Sequence, residues 1–398
     1  MSPATEKFPI MNPQTNTNSF FSEGHLLLRQ KLQAFMKQEI LPHVEDWEQQ
    51  RRFPLRSILK KLGQQELLGL RYPSQYGGQN QDIFSHIVFA EELGRIPSAG
   101  ISMAIIIHND MVAPLVADYG TATQCEELLS PALRGDLVFG HAVSEASAGS
   151  DVAAIQATAV RESDYYVLNG VKNFVTNGLD ADVYCVLAAM PDRNPLTGMV
   201  LLFVPRSLPG IEISEEIGMM GHRTANVASV SFQDVRVPAS CRIGNEGGGF
   251  LAQLNQFAQE HIISSCRATA MADEVLRLTV QHCRSRVTFG EPLIKNQWIQ
   301  FKIAELRTEI ELSRQCNYVA ASIWQEQGDI SLLSAMAKLQ SSRLVRKVAD
   351  ECLQLFGKDA YLDDHIIGRF YRDSRLFSIS TGSDEMMLTK IAKISKIS

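Results

Sequence analysis

The chain has 398 residues, of which 45% are hydrophobic and 21% are charged, and its formal net charge is −6. This length is too great for one small core and predicts two or three domains. The acidic charge balance argues against nucleic acid as a partner and favours a soluble, cytoplasmic protein. The seven cysteines show no C-x-x-C spacing and no grouping with histidine, so we expect reduced core thiols and no metal site.

The N-terminal third is predicted to be helical after a disordered lead. Residues 1–19 are rich in Pro, Thr, Asn and Ser and lack the pattern of a signal peptide. Residues 20–138 carry apolar side chains at helical spacing, which predicts an N-terminal helical domain. The most apolar stretch, 99–116, contains the polar run His108–Asp110. Because these groups would be costly in lipid, we expect a buried helix and no membrane partner.

The middle part of the chain, 139–246, is predicted to be a small β domain. It is rich in Val, Tyr, Phe and Thr, and the pair Asn169-Gly170 predicts a tight hairpin turn. The predicted strands are Tyr165–Leu168, Asn173–Thr176, Val183–Ala188, Met199–Val204 and Val227–Val237.

Residues 247–398 return to helical spacing, with breaks near Gly290, Gly328 and Gly357. The first apolar stripe is predicted to consist of Phe250, Leu251, Leu254, Phe257 and Ile262. The order helical, β, helical lacks alternating βαβ units, which excludes a doubly wound nucleotide-binding sheet. We therefore expect an α+β protein.

Several sequence motifs occur in a fixed order from the β domain to the C-terminus. They are the blocks Ala142–Asp151, Asn169–Gly178, Gln233–Pro238 and Arg286–Gly290, followed by Gln297, Gln354 and Arg372-Asp373. These motifs resemble, in the same order, signatures of the acyl-CoA dehydrogenases, and the resemblance covers nearly the whole chain. It implies an N-terminal α-helical domain, a middle β-barrel-like domain and a C-terminal four-helix bundle.

The resemblance implies FAD as the cofactor, packed between the β domain and the C-terminal helices of a homotetramer. Val143 and Ser144 would hold one edge of the flavin, and Phe174 and Thr176 its other side. A neighbouring subunit would supply the residues for the diphosphate and adenosine end, namely Arg286, Phe289, Gln297 and Gln354. The remaining candidates are Ser150, Gly357, Ser383 and Glu385 for the cofactor, and Ser150 and His261 for the substrate.

The position that carries the catalytic base in many members of that family holds a threonine here. Thr381 follows Arg372 by nine residues, and a hydroxyl cannot act as a base near neutral pH. A minority branch, including the isovaleryl-CoA and long-chain enzymes, carries its base on an earlier helix, ten residues after a Phe. Counting from Phe250 gives Glu260. The resemblance therefore implies Glu260 as the base, and the backbone N–H of Thr381 as a donor to the thioester carbonyl.

The implied reaction is the α,β-dehydrogenation of an acyl thioester. The base removes the α-proton while hydride passes from the β-carbon to flavin N5. Two departures from the family pattern concern the substrate: Ala258 stands where an Asp commonly helps to bind pantetheine, and His261 stands where Arg is usual. Both weaken the case for an ordinary fatty acyl-CoA.

Three alternatives stay open at this point. The first is oxidation of an acyl or aminoacyl group, such as prolyl, on a phosphopantetheinyl carrier protein. Prolyl-carrier-protein oxidases keep the pantetheine arm without the nucleotide. The second is an oxidase or flavin monooxygenase of the same fold, and the third is a non-catalytic binding protein. The electron acceptor is an electron-transfer flavoprotein or oxygen.

Overall fold

The computed structural model describes residues 20–191, 193–194 and 197–397, and these form a helical part, a sheet and a second helical part. This order confirms the predicted fold class. The lead predicted to be disordered, 1–19, lies outside the described residues.

The N-terminal part is an assembly of helices around one apolar core. Its helices are α1 (Glu23–Phe35), α2 (Val44–Gln50), α3 (Leu55–Gln64), α4 (Ile83–Gly94), α5 (Ala99–Ile106), α6 (Ala113–Tyr119), α7 (Ala122–Gln124) and α8 (Ser130–Leu133). A π-helical segment, Ile107–Val112, joins α5 to α6. The combined run Ala99–Tyr119 is long and apolar enough to cross a membrane, but its apolar part, 99–116, is entirely buried inside the protein. It is the central core helix that the sequence predicts.

The middle part is a single mixed sheet of eight strands. Its strands are β1 (Phe139–Ala142), β2 (Thr158–Glu162), β3 (Tyr165–Val175), β4 (Val183–Ala189), β5 (Met199–Pro205), β6 (Ile211–Ile213), β7 (Ala228–Pro238) and β8 (Arg242–Ile243). The order across the sheet is β6-β7-β3-β2-β4-β5-β8, and β1 pairs in parallel with β4. Strands β4 and β5 are continuous apolar runs because the sheet is buried on both faces there.

The hairpin predicted at Asn169-Gly170 is wrong. This pair lies inside β3, which is hydrogen-bonded to β2 on one side and to β7 on the other. Gly170 has a φ of 141° and sits at an irregularity in the pairing with β7, where an added Cβ would lie 2.5 Å from the Cβ of Ala157. The glycine therefore serves a close strand approach, and the turn between β2 and β3 comes earlier, at Ser163.

The C-terminal part is a bundle of long helices. It consists of α9 (Gly249–Ser285), the two-stranded ribbon β9 (Val287–Thr288) and β10 (Glu291–Pro292), α10 (Gln297–Gln325), α11 (Ser331–Phe356), α12 (Ile366–Ser374) and α13 (Asp384–Ile394). The predicted breaks near Gly290, Gly328 and Gly357 are confirmed. Helix α9 has 37 residues and is therefore about 55 Å long at 1.5 Å per residue.

Candidate active site

A stripe of buried polar residues runs along α9. Gln253, Gln256, Glu260, Ser264 and Arg267 are each at most 4% exposed, and their spacing of three and four residues places them on one helix face. The apolar stripe predicted for this helix is partly wrong, because Leu251 and Leu254 are 61% and 43% exposed. Buried polar groups cost free energy unless they are paired or have a function, so this face is the natural place for a site.

Glu260 is the carboxyl in the middle of this stripe. It is 2% exposed, and burial raises the pKa of its carboxyl to about 7, although the charges of Arg267 and Lys338 oppose that rise. Within the described part of the chain, Oε2 has no hydrogen-bond partner. A carboxyl that titrates near neutral pH and keeps a free oxygen is suited to take up a proton.

Thr381 lies beside Glu260, although 121 residues separate them in sequence. Its side chain lowers the pKa of the Glu260 carboxyl, but Oγ1 makes no hydrogen bond of proper geometry to any described residue. Thr381 has a φ of 51° and is followed by Gly382 with a φ of 87°. A β-branched residue in this conformation is a strained backbone position of the kind that clusters at functional sites.

Two buried side chains hold the turn at Thr381-Gly382. His261 Nε2 lies 3.0 Å from the carbonyl oxygen of Thr381, and because a carbonyl only accepts, this nitrogen carries the proton. Burial lowers the pKa of His261 to about 3, so the ring is neutral. Lys338 Nζ donates to the next carbonyl, that of Gly382. His261 is thus engaged by the turn, and its Nδ1 is the ring atom left without a partner among described residues.

The residues predicted to hold one end of the flavin meet at the edge of the β domain. Asn173 N–H donates to the Ser144 carbonyl at 2.8 Å, and Thr176 bridges to His141 on the strand that leads to Val143. Phe174 has a φ of 55° and is 59% exposed. An exposed aromatic ring beside hydroxyl and main-chain groups offers both a stacking face and hydrogen bonds. These residues therefore fit an isoalloxazine ring.

A buried ion pair supports this edge, and the sequence analysis missed it. Lys172 is fully buried, and its Nζ donates to Glu145 Oε1 at 2.6 Å and to the Val143 carbonyl at 3.1 Å. Glu145 also accepts from the backbone N–H groups of Gln156 and Ala157. Both charged residues stand in the quoted motifs, but motif position alone does not reveal that they pair.

The second group of predicted cofactor residues lies at the far end of the C-terminal bundle. Arg286, Phe289, Gln297, Gln354 and Gly357 are all exposed. The Leu293 N–H donates to the Arg286 carbonyl, and the rings of His282 and Phe356 stack with centroids 4.1 Å apart, which brings the ends of α9 and α11 together. Phe289 and Trp298 expose large apolar surface in this region.

The candidates at the edge of the β domain and those at the far end of the bundle do not meet within one chain. Ser285, the last residue of α9 and the neighbour of Arg286, follows Glu260 by 25 positions, which corresponds to roughly 38 Å along the helix. Arg286 is therefore remote from the Glu260 of its own chain.

The last candidates occupy the surface and the start of α13. Ser150 is exposed in the loop after Glu145, and Glu385 is exposed in the first turn of α13. Ser383 is the N-cap of α13, where its hydroxyl accepts from the Met386 N–H at 3.3 Å. No group of three His, Cys, Asp or Glu suited to a metal occurs among the described residues.

Comparisons with known proteins agree with this architecture across the chain. Models of the acyl-CoA dehydrogenase N-terminal, middle and C-terminal domains match residues 22–136, 140–235 and 247–395. The mitochondrial long-chain specific acyl-CoA dehydrogenase of Rattus norvegicus is 31% identical over 375 residues, which cover 94% of this chain and 86% of that protein.

Solved structures give the same result. An acyl-CoA dehydrogenase from Geobacillus kaustophilus is 34% identical with a TM-score of 0.91, and the match covers 94% of this chain and 99% of that one. A prolyl acyl carrier protein oxidase is 26% identical with a TM-score of 0.90, and the match covers 94% of this chain and 99% of that one.

Proposed function

We propose that this chain, which belongs to the acyl-CoA dehydrogenase family, uses Glu260 as the base that removes the α-proton of an acyl thioester. The protein is an FAD-dependent oxidoreductase that acts on a CH–CH bond of such a thioester. The observation that carries the assignment of the base is the Glu260 carboxyl itself, which lies beside Thr381, is buried and has a pKa of about 7. Its Oε2 has no hydrogen-bond partner among the described residues.

The protein's own groups have two roles, which are removal of the α-proton and orientation of the thioester. Glu260 in its ionised form accepts the α-proton, and burial makes this carboxylate a stronger base than one in water. The N–H of Thr381, for which the described residues offer no acceptor, donates to the thioester oxygen as negative charge develops there. His261 and Lys338 hold the turn that carries this N–H, through the carbonyls of Thr381 and Gly382. Bound FAD supplies the acceptor for the hydride that leaves the β-carbon.

The cofactor site is proposed to be shared between subunits of a homotetramer. The separation of roughly 38 Å between Glu260 and the Arg286 end of α9 supports this arrangement. Phe174 and Thr176 of one subunit would flank the flavin, and Arg286, Gln297 and Gln354 of a neighbour would contact the adenosine and diphosphate end. We place the enzyme in the cytoplasm.

Coenzyme A is the proposed carrier of the acyl group, with an electron-transfer flavoprotein as the acceptor. The relatives named as acyl-CoA dehydrogenases support this choice. The similarity to a prolyl acyl carrier protein oxidase makes a carrier-protein substrate and oxygen the outcomes against which the choice is tested. Turnover only on a carrier protein, or oxygen consumption at the full rate, would overturn it.

Glu260→Gln is the variant that tests the base. The amide keeps the shape of the side chain but cannot take up a proton, so anaerobic flavin reduction by a thioester should slow by about 10²- to 10⁴-fold. Substrate binding, measured by perturbation of the flavin spectrum, should persist. Glu305→Gln, at an exposed position of α10, is the matched control and should behave as wild type. Flavin reduction at the wild-type rate in Glu260→Gln would sink the assignment.

A further inference from the structure

The buried polar stripe on α9 continues beyond the base. Ser264 and Arg267 follow Glu260 on the same helix face, and both are at most 4% exposed. Seven residues make nearly two full turns, so Arg267 points in almost the same direction as Glu260, about 10 Å further along the axis. A guanidinium is among the costliest groups to bury, and such groups are normally paired.

Arg267 has no such pairing among the residues that the structure describes. Its Nε and Nη1 are buried without hydrogen-bond partners. The guanidinium carbon lies 4.9 Å from the centre of the Phe377 ring, which covers one face but accepts no N–H in the plane. Two buried donors of Arg267 are therefore without an acceptor among the described residues.

Three carboxylates act on the charge of Arg267, in the order Glu260, Asp110 and Asp373. Asp110 Oδ1 lies 2.6 Å from His86 Nε2 and accepts from Asn109 at 2.9 Å. Asp373 accepts from the backbone N–H groups of His222 and Ala99, at 2.6 and 2.9 Å. None of the three carboxylates forms a hydrogen bond or an ion pair with Arg267 among the described side chains, although Glu260 Oε2 and Asp110 Oδ2 have no other partner there.

The Arg267 end of the stripe is closed to solvent. Gly94 on α4 packs so tightly against this turn that an added Cβ would lie 2.4 Å from the Arg267 carbonyl oxygen. Phe377 covers the guanidinium from the other side. The opposite end of the stripe leads through Gln256 and Gln253 to His141 in the β domain. A thioester with its α-carbon at Glu260 would therefore extend its acyl tail, and not its carrier, toward Arg267.

We infer that the acyl group of the substrate carries a hydrogen-bond-accepting oxygen, a carboxylate above all, and that Arg267 binds it. The inference rests on the proposed function, because it takes the position of the α-carbon from Glu260. The substrate class is then an acyl thioester with a distal carboxylate rather than a plain alkyl chain. A guanidinium fits a carboxylate with two parallel N–H donors, which gives orientation as well as affinity.

The remaining properties of Arg267 agree with this role. Burial lowers the pKa of its guanidinium to about 10, so the group stays cationic at neutral pH. Removing one charged partner from a buried pair typically costs a factor of ten or more in binding. A substrate without the carboxylate would leave Arg267 buried and unpaired.

The test compares matched pairs of coenzyme A thioesters, each a straight-chain acyl group and its terminal-carboxylate analogue of equal carbon number. Wild type should reduce its flavin with the carboxylate member at a kcat/KM at least tenfold above that of the alkyl member, with a terminal-hydroxyl analogue in between. This measurement needs no variant. Equal or better turnover of the alkyl member, or a preference for a terminal ammonium, would overturn the inference.

Arg267→Gln and Arg267→Lys separate binding from folding. The Gln variant should lose the tenfold ratio of kcat/KM between the two members of a pair, and the Lys variant should retain part of that ratio. Equal losses for both members of a pair would assign Arg267 a purely structural role and refute the inference. Failure of the proposed function can be told apart from failure of this inference. If the proposed function is wrong, flavin reduction by every thioester should survive in Glu260→Gln.

Discussion

As the proposed base, Glu260 would couple catalysis to stability through a single carboxyl. Its pKa is about 7 in the folded protein and 4.5 in the reference state, so the folded chain binds the proton more tightly than the unfolded chain. The stability that this proton contributes is fully present below about pH 4.5 and is lost as the pH rises through about 7. The buried base therefore weakens the fold most at the pH where it works best.

The pH dependence of the unfolding free energy tests this coupling. Glu260→Gln removes the titration, so its stability relative to wild type should rise between pH 5 and pH 8 by on the order of 2 to 3 kcal/mol. Thermal unfolding of both proteins at the two pH values, with FAD in excess, measures the difference. Any pH-independent free-energy cost of burying the amide cancels, because only the change in relative stability between the two pH values is compared. A difference that is independent of pH would contradict the raised pKa.

Catalytic activity should be far less sensitive to loss of the Thr381 side chain than to loss of the Glu260 carboxyl. Its proposed role uses the backbone N–H, and its hydroxyl makes no proper hydrogen bond among the described residues. Thr381→Ala should keep kcat within about threefold of wild type. Because the Thr381 side chain lowers the pKa of Glu260, the inflection of the rate–pH profile should also move upward. A loss as large as that of Glu260→Gln would assign the threonine side chain itself to the chemistry.

At the scale of secondary-structure elements, the pair Lys172–Glu145 fastens β3 to the loop that begins at Val143. Lys172→Met should destabilise the protein by about 3 to 5 kcal/mol, because Glu145 would remain buried without its cation. It should also weaken FAD binding, since the loop carries Val143 and Ser144. Denaturant unfolding and titration of the apoprotein with FAD measure the two effects.

The double variant Lys172→Met/Glu145→Gln is the matched control for this pair. It removes both charges together and should recover part of the lost stability. If Lys172→Met alone proves as stable as wild type, the pair does not hold the loop.

The sequence predicted the positions of helices and strands better than it predicted which of their faces are buried. The order of the three parts, the helix breaks and the strand Val183–Ala188 follow from apolar spacing and turn residues, which are local properties. The count of ten residues from Phe250, which identifies Glu260, could be made only from the resemblance to a family. The wrong stripe on α9 and the wrong turn at Asn169-Gly170 have one cause: tertiary neighbours decide which face of a helix is buried and whether a glycine turns the chain.

Other features of the site could not have been found from local patterns. Arg267 and Lys338 look like ordinary surface charges in the sequence, and residues of these types are mostly exposed. Their burial results from helices α4, α9 and α11 and the π-helical segment packing together, which brings distant positions to one place.

At the scale of the whole molecule, α9 separates the two functional halves of the chain. Glu260 lies near the β domain, and Arg286 lies at the far end of the bundle, roughly 38 Å away. If each FAD contacts Arg286 of one subunit and faces Glu260 of another, defects in the two halves should complement each other.

Co-expression of Glu260→Gln with Arg286→Glu tests shared sites. Each variant alone should have little activity, the first from loss of the base and the second from weakened FAD binding. In a mixed oligomer, the intact Glu260 of one chain meets the intact Arg286 of the other, so a fraction of the sites should recover full turnover. Purification through two different tags isolates the mixed species. Activity no higher than the average of the two parent variants would show that each site belongs to one chain.

The closeness of Thr381 to Glu260 bears on how such enzymes change over evolutionary time. The turn and the helix present side chains to the same spot, so under the proposed mechanism a carboxylate at either position would reach the same α-proton. A descendant with a glutamate at 381 as well as at 260 would hold two carboxyls that share a proton, with one pKa raised further, and it would remain an enzyme. Loss of either carboxyl then leaves the other in place. The base can therefore migrate from one helix to a distant loop through ancestors that were active at every step.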